Sequence, residues 1–381
     1  MPDLQNMSLP LYKRILKSKL VFPIILLFLM LIFAQIIILI QEYNRLKLIT
    51  ENINLFYLFK EFNFFSIKIS NGLLSGYIPI ILDETSKLII VTLGMTLVTA
   101  VSGGQDISVG SMMAISAAFC GLLLNGPEYR SEVFHNPYWL AILAGLFGGA
   151  LCGAFNGFLV AVLRIQPMIA SLILFTCGRS IAKLITHSQT VYIMNPVFKY
   201  LGVQIPGIPV RTTIIVSVIM VILVVLFVRK TSLGLYIESI GINSSASRLI
   251  GINSVLIKFM TFVLCGVLCA VAGLMGASSI GSVNSDELGR MIELDAILAV
   301  ALGGTLLGGG KFSIAGSVIG AYTIQTITTA LYAMQVQAHH LNVFKAIIIV
   351  LLIVFSNDTF KEKVKQLVKK IFVKTSVAGN I

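Results

Sequence analysis

The sequence predicts an all-α integral membrane protein with about ten transmembrane helices, an internal duplication and glycine-rich helix breaks. Three observations lead to this prediction. Of the 381 residues, 57% are hydrophobic and 12% are charged, and the mean hydropathy is +0.94. Apolar runs recur at the length of a bilayer-spanning helix, roughly 20 residues. A glycine-rich segment occurs twice. A chain of this composition requires lipid as its solvent.

Ten apolar runs are predicted to form helices. The first, from Leu20 to Ile40, follows a basic segment, but it is too long for a signal peptide and no small-residue cleavage site follows it. The predicted helices cover residues 20–40, 86–101, 110–124, 138–163, 167–186, 212–228, 254–277, 293–305, 312–334 and 341–356. The chain thus divides into a basic N-terminal segment (1–19), a transmembrane domain (20–356) and a basic tail (357–381).

The distribution of Lys and Arg predicts the orientation of the chain, because short cytoplasmic loops of membrane proteins are enriched in these residues. With the N-terminus inside, the inner segments hold Lys13, Arg14, Lys17, Lys19, Arg164, Arg229, Lys230, Arg248, Lys258, Lys311 and the tail lysines. In the outer segments, basic residues are diluted by acidic ones. Both termini are therefore predicted to be cytoplasmic. The net charge of +12 flanks apolar runs, which indicates anchoring in a lipid bilayer and no nucleic-acid partner.

The repeated segment is GGQDISVGS, from Gly103 to Ser111, which is echoed without gaps by GGKFSIAGS, from Gly309 to Ser317. Each copy lies between two apolar runs, which suggests a duplicated half. Non-helical backbone at membrane depth persists only where protein or a water-filled cavity satisfies it, so the two breaks are candidates for a translocation pathway or its gate. Close helix packing is an equally weighted alternative, because Gly149 with Gly153 and Gly316 with Gly320 form GxxxG pairs.

Ionisable residues near the membrane need a role or a partner. Asp106 lies in the first glycine break and Lys311 in the second. Glu293 and Asp295 open a predicted helix, where helix-terminus stabilisation is the simpler interpretation. Arg179 and Lys183 share a helix face, and snorkelling to the outer interface is favoured over lining a cavity. The pathway residues predicted from this pattern are Asp106, Ser108, Gly110 and Asn156.

No catalytic or metal-binding pattern is present in the sequence. The five cysteines lie in apolar runs without the spacing of a zinc site, and the histidines lie in or near loops. The segment from Thr305 to Phe312 only approximates the phosphate-binding loop GxxxxGK[ST]. We therefore expect no enzyme activity, no metal and no bound cofactor in this chain, so that any energy comes from a partner.

Several motifs together resemble a known family. GMTLV at residues 94–98, leading into GGQDISVGS, is similar to the GMTLV…GGIDLSVGS signature of ribose-type permeases, with Gln105 where the family usually has Ile. ELDAILAVALGG at 293–304 is similar to the family's ELDAIAAVVLGG, and the glycines before Lys311 resemble its SGGRG. The similarity runs from about residue 70 to 356. Segments beginning at Arg164, Cys177 and Lys230 most resemble a permease subunit of galactofuranose importers.

The resemblance implies a function. The chain would be the permease subunit of an ATP-binding-cassette importer in the bacterial cytoplasmic membrane, translocating a monosaccharide similar to galactofuranose, galactose or ribose. The implied partners are an ATPase subunit that uses ATP and Mg²⁺, a second permease of the same or a paralogous sequence, and an extracytoplasmic sugar-binding protein. The loop 234–251 is similar to the family's coupling helix, and Glu238, Asn243 and Arg248 are the predicted ATPase-coupling residues.

Three alternatives remain open at the level of sequence. A nucleoside permease of the same importer class is the alternative at the level of substrate. A self-sufficient secondary sugar carrier is disfavoured by the lack of an acid or histidine relay. A membrane enzyme such as a glycolipid transferase would need clustered acids, and only Asp286, Glu287, Glu293 and Asp295 form such a group.

Overall fold

The chain folds almost entirely into helices. A computed structural model describes residues 21–47, 65, 67–70, 72–125, 137–193 and 195–356. Within them lie thirteen α-helices: α1 (Val21–Lys47), α2 (Tyr77–Ser102), α3 (Val109–Asn125), α4 (Tyr138–Gly157), α5 (Pro167–Ile185), α6 (Pro196–Lys199), α7 (Thr212–Lys230), α8 (Leu233–Ile242), α9 (Ser244–Leu249), α10 (Ser254–Ile280), α11 (Ile292–Leu302), α12 (Ile314–Ala333) and α13 (Ala338–Ser356). A π-helix, Phe158–Val162, continues α4. The predicted segments 1–19 and 357–381 lie outside the described residues.

Four short strands complete the described structure. Strands β1 (Lys68–Ser70) and β2 (Leu73–Ser75) form an antiparallel hairpin. Strands β3 (Val191–Tyr192) and β4 (Ser282–Val283) pair antiparallel, with Val191 opposite Val283. The second pair joins the segment after α5 to the segment after α10.

Seven helices of the described part are long and apolar enough to cross a membrane: α1, α2, α4 with its π-helix, α5, α7, α10 and α12. The prediction of a mostly helical membrane protein with several spans is therefore confirmed. The other three predicted runs form α3, α11 and α13, of which α3 and α11 have 17 and 11 residues.

The main difference from the predicted boundaries is the start of α2. It begins at Tyr77, nine residues before the predicted 86, because its first turns contain charged residues that the hydropathy pattern excludes. Asp83 is nevertheless buried, since its Oδ2 pairs with Arg211 Nη1 at 2.9 Å and its Oδ1 accepts a hydrogen bond from the Thr213 hydroxyl. Contacts made by residues far along the chain thus extend the helix.

The core is formed by α2 and α3, which are buried along most of their length. α10 packs against α2, α3 and α4, and α12 packs against α1, α2 and α11. The outer helices α5 and α7 instead expose apolar side chains such as Leu172, Ile173, Ile222 and Leu226. An apolar outer face around a buried central pair is the arrangement expected of a protein whose solvent is lipid.

Both GxxxG pairs lie at close helix contacts. A Cβ at Gly149 would lie 2.5 Å from the Gly266 carbonyl oxygen on α10, and one at Gly153 would overlap the Phe262 carbonyl oxygen. Gly316 and Gly320 of α12 are packed as tightly against the backbone of α11 and its C-cap. Small residues allow these backbones to approach, which stabilises helix pairs where lipid surrounds them.

Candidate functional site

Three of the four predicted pathway residues meet in one buried polar cluster. Asp106 Oδ1 accepts hydrogen bonds from the Ser108 backbone N–H at 2.9 Å and from the Ser108 hydroxyl at 2.6 Å. Asn156 Nδ2 lies 3.3 Å from each Asp106 carboxylate oxygen and 2.8 Å from Ser108 Oγ. All three residues are fully buried. We call Asp106, Ser108 and Asn156 the polar cluster.

The chain break between α2 and α3 positions this cluster. α2 ends at Ser102, and Gly103 follows in the left-handed conformation, with φ of 68°. The loop 103–108 then enters the protein interior, where the Ile107 N–H donates to Ser171 Oγ on α5 at 3.1 Å. Asn156 comes from α4, one residue before that helix ends. The cluster therefore ties the first glycine loop to two neighbouring helices.

Hydrogen-bond donors, rather than a basic side chain, stabilise the Asp106 carboxylate. Among the described residues, no Lys or Arg forms an ion pair with it. Its donors are Ser108 and Asn156, and it lies just before the first turn of α3, where the helix dipole favours negative charge. Asn156 Oδ1 is buried without a hydrogen-bond partner, so it can accept one more donor.

Gly110, the fourth predicted pathway residue, does not join the polar cluster. A Cβ on Gly110 would overlap the Gly289 carbonyl oxygen and lie 2.5 Å from Glu293 Oε2 and 3.3 Å from Arg179 Nη2. The first turn of α3 is thus in contact with the segment before α11. Only glycine fits at this position.

Arg179 contacts backbone carbonyl groups of the segment that follows β4. Its Nη1 donates to the carbonyl oxygens of Ser285, Asp286 and Leu288, each at 3.2 Å. Snorkelling of this side chain to the outer interface stays a prediction. The carbonyl contacts arise because the β3–β4 pair brings the segment after β4 next to α5.

The two copies of the glycine-rich segment touch each other and also touch α8. The Gly310 N–H donates to the Ala100 carbonyl oxygen at 2.8 Å. A Cβ on Gly309 would lie 3.1 Å from Gly103 Cα, and one on Gly241 of α8 would overlap both the Ala100 oxygen and the Gly310 nitrogen. We call Ala100, Gly103, Gly241, Gly309 and Gly310 the glycine junction. It joins α2, α8 and the loop 303–313 by backbone contacts alone.

The predicted coupling residues lie on α8, α9 and the residue between them. Asn243 caps α9, with its Oδ1 accepting from the Ser245 and Ala246 N–H groups at 3.0 Å each. Arg248 Nε donates to Ser254 Oγ at 2.6 Å, which links α9 to the start of α10. Glu238 instead lines a cavity of about 630 Å³ between α7, α8 and α12, together with Arg229 and Ser313. Of the three predicted coupling residues, Glu238 alone lines this cavity.

The sequence indicates that Asp295 needs a role or a partner, but it does not identify the residue that pairs with it. Lys345 Nζ of α13 contacts its two carboxylate oxygens at 3.0 and 2.9 Å. Both side chains are mostly buried, with 12% and 19% of their surface exposed. Lys345 lies within an apolar run, which was the available signal, because such a lysine needs a counter-ion.

Comparison with known proteins identifies the family. A family model described as "Branched-chain amino acid transport system / permease component" matches residues 77–356. The chain belongs to this permease family. It is 36% identical to the galactofuranose transporter permease protein YtfT of Escherichia coli over 304 residues, covering 80% of this chain and 86% of the relative. No solved structure significantly matches the chain.

Two further relatives are sugar import permeases. The fructose import permease protein FruF of Bifidobacterium longum is 38% identical over 291 residues, covering 75% of this chain and 78% of the relative. The ribose import permease protein RbsC of Escherichia coli is 35% identical over 300 residues, covering 77% and 87%. The resemblance to ribose-type sugar permeases is thereby confirmed. Family membership also confirms that the chain is a non-catalytic, multi-pass membrane subunit.

Proposed function

We propose that this chain is the permease subunit of an ATP-binding-cassette importer that carries a monosaccharide of the galactofuranose, galactose or ribose type. The observation that carries the proposal is that permeases named for galactofuranose, fructose and ribose each align with three quarters or more of the chain. Their shared ligand chemistry is a small polyol. A nucleoside contains a sugar as well, so a nucleoside permease is the alternative within the same class.

We propose that the chain spans the membrane about ten times and contains two related halves. Gly103 and Gly309, which occupy equivalent positions in the repeat, both have positive φ, of 68° and 92°. Gly110 and Gly316 are a second pair of equivalent positions in the repeat. They lie in the first turns of α3 and α12 and make close backbone contacts. Matching backbone geometry at matching positions supports an internal duplication with two glycine-rich helix breaks.

The same proposal assigns Asp106, Ser108, Gly110 and Asn156 to the wall of the translocation pathway. All four are buried in this structure, so the pathway would be closed beside them here. Hydroxyl and amide groups suit a polyol, because each can donate and accept hydrogen bonds. Within the polar cluster, Asn156 Oδ1 has no partner and is available to accept a hydrogen bond from a sugar hydroxyl.

We further propose that α8 and α9 dock on the ATPase, with Glu238, Asn243 and Arg248 as coupling residues. Leu249, which ends α9, and Ile250, which follows it, are 90% and 75% exposed, which leaves an apolar surface beside the charge of Arg248. An exposed aliphatic patch rimmed by polar groups is typical of a protein interface. A movement of α8 would reach both glycine loops through Gly241.

We also propose which partners the chain has and how it is oriented in the membrane. ATP and Mg²⁺ would be used by the partner ATPase, a second permease would complete the pathway, and an extracytoplasmic protein would deliver the sugar. Both termini would be cytoplasmic, in the bacterial cytoplasmic membrane. Basic residues occur between the end of α7 and the start of α10, at Arg229, Lys230 and Arg248. Their enrichment supports this region as the cytoplasmic side.

The test is purification of the tagged chain from its native membrane, followed by identification of co-purifying proteins and an ATPase assay. We expect an ATPase subunit to co-purify and the Leu249→Asp variant to lose it. Ile280→Asp is the matched control, because Ile280 is also exposed but ends α10 at the opposite side from Leu249. A chain that elutes alone and still transports sugar in liposomes would instead be a secondary carrier.

A further inference from the structure

Two buried atoms of opposite charge border Gly110 without hydrogen-bond partners. They are Arg179 Nη2 on α5 and Glu293 Oε2 on α11. A Cβ on Gly110 would lie 3.3 Å from the first and 2.5 Å from the second, so both face the same bare Cα. Glu293 is only 4% exposed. Both atoms are thus enclosed by protein.

This arrangement is costly in the conformation described. A buried polar atom without a hydrogen-bond partner loses its hydration and forms no hydrogen bond in its place, and the penalty is larger for charged groups. Arg179 uses Nη1 on three carbonyl groups, which leaves Nη2 free to meet a carboxylate. Arg179 Nη2 is a donor without an acceptor, and Glu293 Oε2 is an acceptor without a donor.

The two side chains lie on different helices that are attached to the rest of the fold by different contacts. Arg179 fixes α5 to the segment 285–288, while Asp295 fixes the first turn of α11 to α13 through Lys345. The far end of α11 leads through the loop 303–313 into the glycine junction, which contacts α8. A shift of α8 could therefore displace α11 along its length.

We propose that Arg179 and Glu293 form a gating pair that is open in this conformation and closes into an ion pair over Gly110 in the opposite-facing one. Gly110 is required because any side chain there would separate the two groups. This inference rests on the proposed import function, since it assumes a transporter that alternates between two conformations. Arg179 and Glu293 are positioning residues, which act on the pathway by holding helices together.

The decisive variant is Glu293→Gln in the complete transport complex reconstituted in liposomes. Gln has the size and shape of Glu and Oε2 makes no hydrogen bond here, so the variant should fold, with a nearly unchanged thermal unfolding temperature. Sugar uptake should fall about tenfold or more, since the second conformation loses its ion pair. Glu293→Asp, which retains the charge, should restore part of the uptake.

Two further variants separate a gate from a structural contact. Arg179→Gln combined with Glu293→Gln should transport no less than Arg179→Gln alone, because the second change removes a partner already lost. Lys183→Gln is the matched control: Lys183 is one turn along α5 and pairs with Asp286 at 2.7 Å in an exposed position, so uptake should be almost unchanged.

The outcomes distinguish the gate from the proposed function. If the wild-type complex takes up sugar and the Glu293→Gln variant takes it up at the same rate, the gating pair is refuted and the proposed import function still stands. A lower unfolding temperature of Glu293→Gln would also overturn it, because the carboxylate would then stabilise the described conformation. Absence of ATP-driven uptake by the wild-type complex would instead refute the proposed import function.

Discussion

At the scale of single residues, the backbone contacts of glycine and the hydrogen bonds of buried polar groups determine what this fold tolerates. Gly241 has an ordinary backbone conformation, and its contacts alone exclude a side chain. Gly308 also has an ordinary conformation but has no neighbour in the space where a Cβ would lie. A comparison of alanine substitutions at these two positions therefore isolates the effect that a close backbone neighbour has on stability.

We expect Gly241→Ala to destabilise the protein by about 1 to 3 kcal/mol, because its Cβ would overlap the Ala100 oxygen and the Gly310 nitrogen. Gly308→Ala should change stability by less than about 0.5 kcal/mol. Thermal unfolding of the two purified variants in detergent gives the comparison. Equal unfolding temperatures would show that the glycine junction is not closely packed.

The polar cluster leads to a second prediction. Asn156→Ala removes the amide donor from Asp106 and Ser108, so a buried carboxylate loses part of its solvation, at a cost of about 1 to 3 kcal/mol. Ser116→Ala is the control, because the buried Ser116 hydroxyl bonds only to the Met112 carbonyl of its own helix. Chemical unfolding should separate the two variants. Equal losses would argue against a cooperative cluster.

At the scale of elements, apolar length was sufficient to predict the seven long helices, because lipid imposes one constraint on every span. The sequence also singled out Asp106, Ser108 and Asn156 as polar groups in apolar surroundings, and the structure brings these three residues together. It could not predict the start of α2, because the buried pair of Asp83 and Arg211 joins segments far apart in sequence. The separation of Gly110 from the polar cluster likewise depends on which face of α3 meets α11.

The attachment of α13 to α11 gives a prediction at this scale. Removing one charge of the Asp295–Lys345 pair leaves the other buried and unpaired, which costs about 3 to 5 kcal/mol. We expect Lys345→Met to be much less stable than the double variant Lys345→Met/Asp295→Leu. The exposed pair of Glu287 and Arg290 is the control, where Arg290→Met should have little effect. A double variant less stable than both single variants would contradict this account.

At the scale of the whole molecule, α10 fixes the relation between the proposed coupling surface and the proposed gate. α10 has 27 residues, a length of about 40 Å, which exceeds a bilayer core of about 30 Å. α9 precedes it, and the segment 284–291 follows it after β4. An α10 that spans the bilayer places the two regions on opposite sides of the membrane, whichever way the termini face, and we expect this arrangement.

Single cysteines placed at Ser245 and Glu287 test this arrangement, in a background without the native cysteines. Both positions are exposed, and Glu287 contributes only a surface ion pair, so neither change should disturb folding. We expect a membrane-impermeant maleimide to label Glu287→Cys on intact cells, and Ser245→Cys only after permeabilisation. The reverse result would place α8 and α9 outside and exclude their docking on a cytoplasmic ATPase. Labelling of both from outside would show that α10 does not span the membrane, and the proposed coupling from α8 to the gating pair would then lose its geometric basis.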